Sequence, residues 1–127
     1  MTTAVLLIAH GSRRAEANAD LVKIAEQLRQ TGRYPIVEVS YLELAEPTIP
    51  QGGRACVEAG ADHVLMMPYF LSAGQHAVSD LEEHCHALAN EFPAAQFQLC
   101  PPLGVHPLMA DIVMDRLREG QSAARPH

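Results

Sequence analysis

The chain has 127 residues, 48% of them apolar and 19% charged, and a net charge of −6. That suffices for one hydrophobic core but not two, and the composition is that of an ordinary globular chain. The acidic balance argues against nucleic acid as a partner. The first apolar run, Ala4 to Ala9, is too short for a membrane span or a leader core, so a cytoplasmic protein without a membrane partner is expected.

The elements alternate along the chain. Ala4 to Ala9 is continuously apolar, as in a parallel strand buried on both faces. After Ser12, which reads as a helix N-cap, apolar residues recur at Ala17, Leu21, Ile24, Ala25 and Leu28, and Gly32 suits the helix end. Ile36 to Leu42 is rich in β-branched residues and predicts strand two. Thr48 with Gln51 matches a capping box for a second helix closed near Gly60, although its interior Gly52 and Gly53 weaken that reading. Val64 to Met67 predicts strand three. Val78, Leu81, Cys85, Leu88 and Phe92 then mark a third helix, stopped by Pro93. Phe97 to Cys100 is the fourth strand, and Pro107 opens a last helix ending near Gly120.

Such alternation predicts an α/β domain: a four-stranded parallel sheet with right-handed crossovers and helices on both faces. We take its strand order as 2-1-3-4, which puts a ligand crevice at the C-terminal ends of strands one and three. The domain is assigned to residues 1–119, and residues 120–127, poor in large apolar side chains, to a flexible tail. Three widely spaced cysteines, Cys56, Cys85 and Cys100, suggest neither a disulfide framework nor a thiolate zinc site, and read as small buried side chains.

Seven histidines are many for this length. Two of them share a rhythm with one carboxylate. His10 follows strand one, Glu43 strand two and His76 strand three, at steps of 33 residues, the length of one βα unit. In a parallel sheet all three reach the C-terminal edge. Neighbouring strands lie about 4.8 Å apart and imidazole–metal bonds measure about 2.1 Å, so adjacent strand ends could share one ion. Two imidazoles and a carboxylate suit a borderline divalent cation and leave coordination positions open. Each residue also has a plainer reading: His10 as a turn cap, Glu43 as a solvated loop carboxylate, His76 as an exposed residue of a first helical turn.

Four blocks in order carry a resemblance. They are His10-Gly11-Ser12; Tyr41 through Pro50; Met67 through His76, with Asp80 and Leu81 beyond; and Pro102 through Pro107. From about Val5 to Leu117 the chain resembles the short sirohydrochlorin chelatases, the small CbiX and SirB type of class II chelatase. The resemblance implies a chelatase-like domain that inserts cobalt, iron or nickel, as the divalent ion, into a sirohydrochlorin-type tetrapyrrole, with no organic cofactor. It implies metal held by His10, His76 and Glu43, and a homodimer that completes the cleft which larger members build from two halves in one chain. The histidine-rich stretch of some short members is missing here, where the tail holds only His127.

Insertion removes two pyrrole protons while the ion sheds water, and His10 and His76 are the candidates to present the metal and accept a proton. Asp80, one turn after His76, is a candidate partner for its ring. Ser12 with the first N–H groups of helix one, and Arg13, Arg14 and Arg54, are candidates for the substrate's carboxylates. Tyr69, Phe70, Leu71 and Gly74 are assigned to the cleft, with Phe70 also readable as core. Histidine-phosphatase chemistry fits poorly, because Ala9 stands where an arginine should precede the histidine. A non-catalytic cobalt or nickel carrier and a flavodoxin-like binding module remain the rival readings.

Overall fold

The computed structural model describes residues 1–123. Eight elements alternate: β1 (Thr3–Ala9), α1 (Ala15–Gln30), β2 (Ile36–Tyr41), α2 (Ile49–Glu58), β3 (His63–Pro68), α3 (Gln75–Glu91), β4 (Gln96–Leu99) and α4 (Pro107–Ala123). The four strands form one parallel sheet, as expected from the alternation, and their order is the β2-β1-β3-β4 taken above. β1 is central, and Ile8 lies between Ser40 of β2 and Pro68 of β3.

The alternation of side chains along β1 builds two cores. Ala4, Leu6 and Ile8 point to one face, where Ile49 and Cys56 of α2 and Leu81 and Leu88 of α3 cover them together with Val64, Met66 and Phe97. Val5 and Leu7 point to the other, against Leu21 and Ala25 of α1 and beside Val37 and Tyr41. The continuous apolar run of β1 follows from being covered twice.

Gly52 and Gly53, which weakened the sequence reading of α2, explain its packing. A Cβ on Gly52 would stand 2.7 Å from Leu6 Cδ1, and one on Gly53 2.7 Å from both Leu88 methyls. The helix lies so close to the sheet and to α3 that any larger residue would push Leu6 or Leu88 aside. It starts at the expected capping box: the Gln51 N–H donates to Thr48 Oγ1 (3.3 Å) and the Thr48 N–H to Gln51 Oε1 (2.8 Å).

Three expectations need correction. Ser12 is not the N-cap of α1: the cap position is Arg14, without a side-chain cap bond, and Ser12 Oγ instead accepts from the Arg14 N–H at 3.0 Å. The last helix runs through Ala123, so Gly120 to Ala123 are helix rather than tail, while the rest of the assigned tail, His127 included, lies outside the described residues. Val78, placed on the buried stripe of α3, is 38% exposed. Helices do cover both faces, but α4 buries none of its residues: Leu108, Ile112, Val113, Met114 and Leu117 are all about half exposed or more.

Candidate metal-handling site

The C-terminal edge of the sheet is built outward from β1. Parallel pairing continues past the ends of β1 and β2, where the Leu42 N–H donates to the Ala9 carbonyl (2.9 Å) and the Glu43 N–H to the His10 carbonyl (3.0 Å). This fixes His10 and Glu43 as neighbours although 33 residues separate them. Gly11 permits the approach. Its φ is +98°, and a Cβ there would sit 1.8 Å from the Glu43 carbonyl oxygen. Leu44, next along, holds a left-handed φ of 66°, an unfavourable conformation for leucine at the edge that presents His10 and Glu43.

On the other side the Tyr69 N–H donates to the Ile8 carbonyl (2.7 Å), which carries the chain after β3 alongside β1. The Phe70 ring then stacks on the His10 imidazole, centroids 4.1 Å apart and planes at 23°. Phe70 is only 6% exposed and belongs to the core. It therefore backs His10 from the core while an edge of it reaches the groove beside the sheet edge.

His76 is the second residue of α3, beginning just after Gly74 in the cap position. His10, Glu43 and His76 thus lie on one edge, and all three are exposed. Among the described residues no group of three His, Cys, Asp or Glu side chains is gathered closely enough to hold an ion. The frame brings His10 and Glu43 together by backbone pairing, and exposed side chains turn between staggered rotamers. Asp80 is exposed one helical turn after His76.

Beside this edge runs an apolar groove. Tyr69, Phe70, Leu71, Leu103, Met109 and Ile112 line about 390 Å³ of it. It adjoins a further 350 Å³ through Leu103, Met109 and Ile112, where Met67, Pro102, His106 and Leu108 complete the wall. These volumes lie in the range of small-molecule sites. The His106 ring is engaged locally. Its Nδ1 accepts the Leu108 N–H (3.1 Å) at the start of α4, which puts the ring proton on Nε2. His63 is at the opposite edge, bonded to Gln98 (3.1 Å).

The arginines separate. Arg54 pairs with Glu91 (2.7 Å), the last residue of α3 and so at the far edge, which removes it from the carboxylate-binding candidates. Arg14 pairs with Glu16 (3.3 Å), whereas Arg13 is exposed beside the His10 loop. One residue the sequence reading passed over is tied to that loop. Asn18, in the first turn of α1, accepts the Ser12 N–H at Oδ1 (3.0 Å) and donates from Nδ2 to the Ser12 carbonyl (2.7 Å). The buried Tyr41 hydroxyl donates to the Asn18 carbonyl at 2.7 Å. An asparagine in a helical first turn, where it is a middling helix former, was the only local sign.

Fold and edge together define a parallel α/β domain that carries imidazoles and a carboxylate at the C-terminal rim of its sheet, next to an apolar groove. The CbiX family model matches residues 4–120, and the chain belongs to the CbiX family. It is 37% identical to the chloroplastic sirohydrochlorin ferrochelatase of Arabidopsis thaliana over 90% of its own length and 51% of that protein's. It is 32% identical to the sirohydrochlorin cobaltochelatase of Methanopyrus kandleri, over 91% of its length and 95% of that protein's. Among solved structures, SirB from Bacillus subtilis with Fe³⁺ superposes with a TM-score of 0.85 at 31% identity, over 99% of this chain and 49% of that one. The chain therefore spans about half the length of some relatives and nearly all of another. Among the described residues no helix is long and apolar enough to cross a membrane.

Proposed function

We propose that this chain inserts a divalent metal ion, cobalt or iron with nickel as a third candidate, into a sirohydrochlorin-type tetrapyrrole without an organic cofactor. The reading is supported by the placement of His10, Glu43 and His76 at one sheet edge beside an apolar groove, in a chain of the CbiX family. The ion is a substrate here. Two imidazoles and one carboxylate hold a borderline divalent cation while leaving positions for the incoming ring nitrogens. The ring loses two N–H protons as the ion sheds its ligands. An imidazole released from the ion becomes free to take one of those protons, and Glu43 can take the other. Phe70 holds the His10 ring through this exchange, and Tyr69 and Leu71 line the wall against which a flat macrocycle lies.

The acidic protein must also accept a polyanionic ring. Arg13 and the backbone N–H groups opening α1 and α3, after Arg14 and Gly74, are the proposed anchors for its carboxylates. A second copy of the chain closes the cleft. Support comes from relatives twice as long and from α4, whose apolar arc runs from Leu108 and Ile112, facing the groove, round to Val113, Met114 and Leu117. A helix apolar over most of its circumference belongs between two surfaces, and this domain supplies one. We place the reaction in the cytoplasm, which suits three free thiols.

The test is anaerobic mixing of the protein with metal-free sirohydrochlorin and each ion in turn, followed by absorbance, alongside His10→Ala and His76→Ala. Rapid insertion lost in both variants supports the proposal. No acceleration by folded protein with any of the three ions rejects it in favour of a metal-binding module.

A further inference from the structure

We infer that Asn18 is the positioning residue for His10, holding the loop that carries this ligand in register with the sheet edge; the inference rests on the metal-handling reading of that edge. The loop contains a hinge. Gly11, at φ +98°, separates His10 from Ser12, and glycine alone would let the chain rotate on either side of it. Both flanks are clamped. On the His10 side, the carbonyl accepts the Glu43 N–H at 3.0 Å. On the Ser12 side, the Asn18 amide takes both backbone groups of one residue, accepting the N–H at 3.0 Å and donating to the carbonyl at 2.7 Å. Only one orientation of the amide satisfies both bonds, so its placement is determined.

Asn18 is itself anchored. Its carbonyl accepts the Tyr41 hydroxyl at 2.7 Å, and Tyr41 is a 3%-exposed residue of β2 whose register partner is Ala9, immediately before His10. The circuit from Ala9 through Tyr41, Asn18 and Ser12 returns to His10. It joins the first turn of α1 to the ends of β1 and β2 and does not itself present a group to the ion. A residue whose work was helix stability alone would have no need of a two-point bond to a loop six residues earlier.

The test compares the full chain with Asn18→Ala, Asn18→Asp and Ser40→Ala. Asn18→Asp keeps the acceptor for Ser12 N–H but sets an oxygen against the Ser12 carbonyl, and it carries the test should Asn18→Ala fail to fold. Ser40→Ala removes the buried hydroxyl that donates to Leu7 (3.1 Å), a structural loss on the α2 face of the sheet, opposite the Asn18 side. Cobalt affinity is measured by titration, and exchange of the Ser12 amide proton by NMR without metal. Both Asn18 variants should bind cobalt about 10–100-fold more weakly, the range for residues that orient a ligand, with Ser12 exchange accelerated. Ser40→Ala should lower stability and leave both readouts unchanged. Cobalt affinity within twofold of wild type in a folded Asn18 variant overturns the inference, as does an equal loss in Ser40→Ala. Wild-type protein that binds cobalt but inserts none would sink the chelatase reading and leave the Asn18 result intact; wild-type protein with no cobalt affinity overturns both.

Discussion

At the level of single residues, position 11 is under the tightest constraint. Gly11→Ala would combine a left-handed φ with a methyl group 1.8 Å from a backbone oxygen, so the loop must move. We expect a stability loss of about 2 kcal/mol or more, read by urea unfolding, and cobalt binding impaired along with it. The cysteines respond to a different variable. Burial pushes the Cys56 thiol up to about 12, and Cys85 and Cys100 upward as well. A thiol whose folded pKa is raised contributes stability that is complete below the unfolded value, about 8.5, and is lost as pH rises toward the folded one. Urea midpoints should therefore fall between about pH 9 and pH 12. Cys56→Ala should flatten that decline; an unchanged slope would mean that another group governs it.

At the level of elements, α2 shows both what the sequence discloses and what it hides. Its capping box was legible because both bonds form within four residues, and Thr48→Ala should cost about 1 kcal/mol in thermal or urea unfolding. Gly53→Ala should cost more than the helix propensity gained, because its methyl meets two Leu88 carbons at 2.7 Å. The same substitution at Gly60, where a Cβ meets nothing within 4 Å, would be penalised by its φ of 108° alone. Gly60 already reads from sequence as a helix end, whereas the meaning of Gly53 lies in a partner 35 residues away. The parallel α/β fold was readable from periodicity, and the chain rhythm put His10, Glu43 and His76 at one sheet edge, whereas the strand order 2-1-3-4 was chosen rather than derived and the structure has it. The Asn18 clamp was not, because its partners come from β2 and a loop with no shared period. The start of α1 was misread for a related reason. Ser12 is a good capping residue by type, but its hydroxyl closes a turn two residues too early.

At the level of the whole molecule, α4 is the proposed surface of assembly. Val113→Glu and Leu117→Glu put charge on an arc that buries nothing within the domain, so the fold should survive both. Sedimentation should show a dimer for the natural chain and monomers for these variants, with metal insertion reduced accordingly; a natural chain that sediments as a monomer would refute the shared cleft.

The same helix sets an order of events during synthesis. Among the described residues every buried core residue precedes it, the last being Phe97, so the sheet can close while α4 is still inside the ribosome. Two copies would then meet only after each is already folded, and pairing would not be a condition of folding. The monomeric α4 variants should unfold cooperatively at midpoints independent of protein concentration, since pairing adds only a mass-action gain to the natural chain. Insertion rate per chain should instead fall as the solution is diluted, which makes the amount of protein in the cell a control on the reaction.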